Sequence, residues 1–145
     1  MITEALRQVD DPEYPGVSIV DLGLVEDVRV DGGRVEVDLI PTFSGCPALA
    51  MIAADVRSAL GRLDGVDDVE VRFVPSPVWT PERITPAARR AIAEQFTVAV
   101  ATIGRPTACP RCHETALVEE SMFGPVRCRS IHRCRACGER IEVIR

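Results

Sequence analysis

The sequence predicts an α+β fold in two parts, a small three-stranded sheet with covering helices followed by a short segment held by a metal. Three observations carry this reading. Apolar residues alternate through Val28, Val30, Val35, Val37 and Leu39 on either side of Asp31-Gly32-Gly33, the pattern of a half-buried β-hairpin. Leu49, Ile52, Ala53, Val56, Leu60 and Leu63 then trace one face of an amphipathic helix behind Pro47. Further on, two Cys-x2-Cys pairs stand with 21 residues between them.

Taken in order, Ile2, Ala5, Leu6 and Val9 share a helical face, with Thr3 as a cap and Asp11-Pro12 as the stop. Residues 10–16 read as a turn-rich loop. The hairpin follows from Val25. Pro47 suits the first turn of the next helix, where its missing N–H costs nothing, and Gly61 with Asp64-Gly65 closes that helix. Val66, Val69, Val71 and Phe73 give the third strand before Pro75 and Pro77 interrupt the ladder. A further helix is expected from about Pro81 to Gln95, capped by Thr80, with Ile84, Ala88, Ile92 and Phe96 along one side. Residues 97–107 read either as an edge strand, through Val98, Val100 and Ile103, or as a linker, through Gly104-Arg105-Pro106-Thr107. The boundary is placed there: an α/β domain over 1–96, a linker over 97–107 and a metal-bound ribbon over 108–145.

Composition narrows the chemistry. Of 145 residues, 46% are hydrophobic and 27% charged, a globular balance. The first residues carry acids where a signal peptide needs bases, and no apolar run reaches the roughly 20 residues of a membrane span, so a cytoplasmic protein is expected. A reducing compartment turns six cysteines toward metal binding or thiol chemistry rather than disulfides. All 17 basic residues are arginine, which excludes a Schiff-base lysine and a P-loop lysine. A net charge of -5 argues against nucleic acid as the main partner.

Cys109, Cys112, Cys134 and Cys137 form two knuckles whose tight turns aim both thiolates of a pair at one ion. Two such turns complete a tetrahedron, the pattern of a zinc ribbon, and four sulfurs leave no open position for catalysis. A segment this short has little core of its own, and zinc supplies on the order of 10 kcal/mol of folding free energy. Rubredoxin-like iron or a redox disulfide in one pair are the alternatives. Cys128 is open between a small buried hydrophobe and a fifth, substituting thiolate. His113 and His132 have no spaced partners and read as structural or surface residues. Residues 108–145 hold seven Arg against five acids, a balance of +2 that four thiolates on one Zn(II) cancel, so this ribbon suits protein docking better than nucleic acid.

Cys46 stands directly before Pro47 at a helix start, where unpaired N–H groups and the helix dipole favour a thiolate. It suits a metal-sulfur ligand or a nucleophile, and equally a cysteine packed in the core, since no histidine lies near it in sequence. Thr42 and Ser44 read as turn or site residues.

Asp11-Pro12-Glu13, then Ser18-Ile19-Val20-Asp21-Leu22-Gly23-Leu24, then Pro41-Thr42-Phe43-Ser44-Gly45-Cys46-Pro47 resemble, in order and spacing, the metal-sulfur cluster assembly domain associated with the SUF system. Ser76-Pro77-Val78-Trp79-Thr80, and then Phe123-Gly124 with Cys128 and the knuckles, resemble its PaaD (PaaJ) branch, linked to the phenylacetyl-CoA epoxidase complex. The resemblance implies a non-catalytic accessory protein that matures or repairs the metal centres of a ring-epoxidising oxygenase. It places cluster or iron handling at Cys46, Thr42 and Asp21, and metal ligation at the four knuckle cysteines with Cys128. Zinc and a transient iron or iron-sulfur cluster are the implied cofactors, and oxygenase subunits or another iron-sulfur client the partners. Since one thiolate cannot complete an iron-sulfur site, a homodimer pairing two Cys46 residues, or a client ligand, would supply the rest. A general iron-sulfur carrier, and an enzyme using Cys46 as nucleophile, are the competing functions.

Overall fold

The computed structural model describes residues 1–42, 47–125 and 128–144. The chain divides into two compact units, Met1–Trp79 and Thr80–Arg145.

In the first unit, α1 (Ile2–Leu6) starts from Met1, so Thr3 lies inside the first turn and is not its cap. The expected loop over 10–16 contains a small antiparallel ribbon, β1 (Asp10–Asp11) with β2 (Tyr14–Ser18), because Asp10 and Asp11 accept backbone N–H groups from Gly16 and Glu13 across the turn. β3 (Val25–Asp31) and β4 (Arg34–Leu39) form the expected hairpin. Its two-residue loop calls for glycine at Gly32, which has φ of 59°, while a Cβ on Gly33 would push aside the exposed Asp67 carboxylate.

β5 (Asp68–Phe73) pairs with β4 in parallel, giving the order β3-β4-β5. A parallel pair needs a crossover, which α2 (Ala48–Gly61) supplies. Val35, Val37, Leu39 and Val71 line the covered face of the sheet, and Ile52, Val56 and Leu60 the buried side of α2. Each such burial is worth about 1.5–3 kcal/mol, which is why two short periodic segments suffice to specify this core. The other face of the sheet is charged. Arg29 reaches Asp27, Glu36 and Asp38, while Arg72 reaches Glu36 and Asp38, and Arg34 pairs with Glu70.

In the second unit the helix expected over 81–95 is divided. A 3-10 turn covers Pro81–Arg83, and α3 (Pro86–Phe96) begins afresh with Thr85 as its cap, the Thr85 side chain accepting from the Ala88 N–H. Pro86 forces the residue before it out of helical conformation, and Thr85 has ψ of 153°, so Thr80 cannot cap one continuous helix.

The 97–107 linker expectation is also corrected. β6 (Val98–Val100) pairs in parallel with β9 (Arg140–Ile144), and β7 (Leu117–Ser121) and β8 (Arg129–Cys134) complete a four-stranded sheet of order β6-β9-β8-β7. Ala99 packs into the cluster of Cys109, Cys134, Ile141 and Val143, which draws this segment into the ribbon. The units therefore divide at Trp79/Thr80 and not between 96 and 108. No helix among the described residues is long and apolar enough to cross a membrane.

Candidate metal centre

Cys109 leads into the first knuckle, and Cys134 ends β8 and opens the second. The two turns are built alike. His113 donates its N–H to the Cys109 carbonyl at 2.8 Å, and Gly138 donates to the Cys134 carbonyl at 2.8 Å. Cys109 N–H in turn reaches Glu114 O at 2.9 Å, and Cys134 N–H reaches Glu139 O at 2.8 Å. An Arg135 N–H bond to Ala116 O at 2.9 Å ties the second turn to the segment entering β7.

All four sulfurs lie within 4.8 Å of one another. Cys109 and Cys137 Sγ are 3.9 Å apart, and Cys112 and Cys134 Sγ 3.5 Å. A tetrahedral site with metal–sulfur bonds of about 2.3 Å needs sulfurs about 3.8 Å apart, and these two pairs stand close to that spacing, so the donor set suits such an ion. Backbone N–H groups are already aimed at the sulfurs: Glu114 at Cys112, Glu139 at Cys137, and Cys137 and Ala136 at Cys134. The Cys137 N–H contributes most to drawing the Cys134 thiol down to about 7. At Cys112 the Glu114 N–H pulls the other way, yet burial and the neighbouring sulfurs push the thiol up to about 12. Four thiolates at this spacing repel one another until a cation sits among them, so the geometry is that of a metal centre. With four thiolates bound, such an ion holds the turns together and has no vacant position.

Cys128 lies outside this group of four sulfurs. It precedes β8, and Cys134 stands at the opposite end of that extended strand, about 20 Å away at 3.3 Å per residue. His113 is exposed. His132 Nδ1 lies 3.3 Å from Ser130 Oγ, on the strand and outside the sulfur cluster. Glu114 and Glu139 went unnoticed in the sequence, though Cys-x2-Cys-x-Glu repeats in both knuckles and was there to be read.

Of the N-terminal candidates, Asp21 sits half-buried in the turn after β2. Ser18 donates its hydroxyl to Asp21 Oδ2 and accepts the Asp21 N–H, each at 3.1 Å. Trp79, buried, donates its indole N–H to Leu22 O at 2.8 Å and fastens this turn from the far end of the unit. Leu24 O receives the Ile40 N–H at 2.7 Å, which ties the Asp21 turn to the segment leading into Thr42. Thr42 is half-buried. Cys46 and Ser44 lie outside the described residues.

Fold and site together define a two-part protein, a small α/β module and a four-thiolate ribbon in one chain. Residues 1–73 match the iron-sulfur cluster assembly protein family and residues 94–145 the PaaD zinc beta ribbon domain. The chain therefore belongs to the iron-sulfur cluster assembly protein family, in a form that carries the PaaD ribbon. Over 140 residues it is 33% identical to an Escherichia coli (strain K12) protein provisionally assigned to 1,2-phenylacetyl-CoA epoxidase as one of its subunits, covering 92% of this chain and 84% of that one. It is 42% identical to the Fe-S protein maturation auxiliary factor YitW of Bacillus subtilis (strain 168), over 65% of this chain and 92% of that one. The crystal structure of a DUF59 domain from Bacillus anthracis superposes with a TM-score of 0.59 at 36% identity, covering 63% of this chain and 87% of that chain.

Proposed function

We propose that the chain is an accessory maturation factor that delivers iron or an iron-sulfur cluster to a multicomponent phenylacetyl-CoA ring epoxidase. The observation that carries this is the combination of the two parts in one chain: the likeness to the epoxidase-linked relative spans both the assembly module and the ribbon. Cys46 transiently holds the iron or cluster, and Asp21 and Thr42 shape its surroundings. A client ligand, or a second Cys46 in a homodimer, completes the coordination. The ribbon's ion is zinc and structural, and the ribbon docks on oxygenase subunits in the cytoplasm. No catalytic step belongs to this chain in that reading.

The likeness of the first unit to the maturation factor YitW favours a second reading, a general iron-sulfur carrier. Deleting the gene in its own host and purifying the epoxidase separates the two. Iron-poor oxygenase subunits that the re-supplied chain restores, with other iron-sulfur enzymes unaffected, support the dedicated role. Loss across many iron-sulfur enzymes supports the general one. A fully metallated and active oxygenase in the deletion strain would sink the dedicated role, and intact iron-sulfur enzymes throughout that strain would sink the general one as well.

A further inference from the structure

The exposed side of α2 forms one wall of a groove. Met51, Asp55 and Arg62 line a hollow of about 410 Å³ whose facing wall is the β1–β2 turn with Asp11 and Pro12. A second hollow of about 360 Å³, walled by Ala5 and Leu63, shares Gln8, Ala59 and Arg62 with the first, so the two run on as one groove. From Met51 to Arg62 it spans about 16 Å at 1.5 Å per helical residue, room for about five extended residues or three helical turns. Met51 is 56% exposed, an apolar side chain in water at one end of the groove.

Charge selects what can occupy it. Along the groove the exposed carboxylates are Glu4, Asp10 and Asp55, against the one guanidinium of Arg62, a side-chain balance of -2, while Asp11 is buried behind them. The walls are held in place: Asp10 and Asp11 each accept a backbone N–H at 2.8 Å, and Arg62 donates to Ser58 Oγ at 3.0 Å. Nucleic acid and anionic lipid would bring like charge to this wall. A second copy mated face to face would set the acidic wall against itself in a chain of net charge -5. A basic segment with apolar side chains on one side meets both features of the groove.

We propose that this groove receives a short, basic, amphipathic polypeptide segment of the client protein. Its apolar side chains lie against Met51, Ala59 and Leu63, and its basic ones against Glu4, Asp10 and Asp55. That the segment belongs to a maturation client rests on the function proposed above; the binding itself does not. Met51 lies one turn into α2, and α2 starts two residues after Cys46 in the sequence, so the groove runs toward the candidate thiolate's end of the helix.

The test uses the full chain and two synthetic twelve-residue peptides, one with leucine at positions 1, 4, 5 and 8 and lysine elsewhere, the other with glutamate in place of lysine. Amide NMR shifts on titration are expected along Met51–Arg62 and Asp10–Pro12 with the lysine peptide only. Affinity should fall about tenfold in Asp55→Arg and stay unchanged in Glu94→Arg, an exposed acid on α3. Asp55→Arg should also fail to restore the oxygenase in the deletion strain, with metal content and unfolding temperature unchanged. Equal binding of both peptides, shifts centred on Glu36 and Asp38 of the charged sheet face, or undiminished affinity in Asp55→Arg would overturn the proposal. If the peptide binds as expected but the wild-type chain does not restore the oxygenase, the groove stands and the function proposed above fails.

Discussion

His113 and Gly138 occupy the same place in the two knuckles: each follows the second cysteine, each has positive φ (66° and 79°), and each donates its N–H to the first cysteine's carbonyl. Glycine enters this left-handed region without penalty, whereas a side chain with a Cβ is strained there. His113→Gly is therefore expected to stabilise the metal-loaded ribbon by about 0.5–1 kcal/mol, and Gly138→Ala to destabilise it by about 1 kcal/mol. Denaturant unfolding followed at ribbon amides, with chelator competition for the metal, measures both. A His113→Gly ribbon that unfolds earlier would mean that the imidazole makes a contact worth more than the strain.

The place of β6 yields a second expectation. A fragment of residues 80–145 should fold around its metal, while one of 108–145 should bind metal more weakly and give poorly dispersed amide spectra. The shorter piece lacks the strand that pairs with β9, and with it Val98 and Ala99, which are 1% and 3% exposed in the whole chain. Loss of their burial is worth a few kcal/mol, on the order of one Val and one Ala side chain. Equal metal affinity and equal dispersion in the two fragments would return the boundary to the 97–107 segment.

What the sequence disclosed follows from the range of the forces involved. The β3–β4 hairpin and the face of α2 were legible because period-two and period-3.6 apolar patterns are local, and so were the knuckle cysteines, whose spacing is itself the geometry. β6 was ambiguous because three residues carry no period, and its partner β9 lies some forty residues away in parallel. One helix capped by Thr80 is what the apolar stripe through both segments suggests; the chain is broken by Pro86, a local steric veto that outweighs the stripe. Cys128 stays open in the sequence between a small hydrophobe and a further thiolate, because only the extension of β8 carries it away from the knuckle cysteines.

The charged face of the first unit should show in its acid unfolding. Hydrogen bonds from Arg29 are the largest cause holding the Glu36 and Asp38 carboxyls below their ordinary values of 4.5 and 3.8. A carboxyl lowered in the folded state stabilises it above the unfolded value, and that contribution is lost as pH falls through the lowered one. The unfolding temperature should therefore hold between pH 7 and 5 and decline below about pH 4, less steeply in high salt. Asp38→Asn should lower it at pH 7 and flatten the acid decline. An unchanged decline in that variant would place the acid sensitivity elsewhere.

The two candidate sites separate by substitution. Cys112→Ser removes one of four thiolates from a centre whose sulfurs already lie within 4.8 Å of one another, and serine is too hard a ligand to replace it. The ribbon should release its metal, and the Ala99, Ile141 and Val143 cluster around the cysteines should loosen with it, because metal binding there is folding free energy. The first unit has its own core in Val35, Val37, Ile52, Val56 and Leu60, so its amide spectrum should persist. Cys46→Ser should do the reverse, leaving ribbon metal content and both unfolding transitions nearly unchanged while abolishing restoration of the oxygenase, since it removes a soft ligand and little volume. Elemental analysis for zinc and iron, two-probe thermal unfolding and oxygenase recovery in the deletion strain read all of these outcomes. Iron in place of zinc in the wild-type ribbon would revise the metal and keep the scaffold. Full oxygenase recovery by Cys46→Ser would remove the carrier role from the first unit and leave it a docking module.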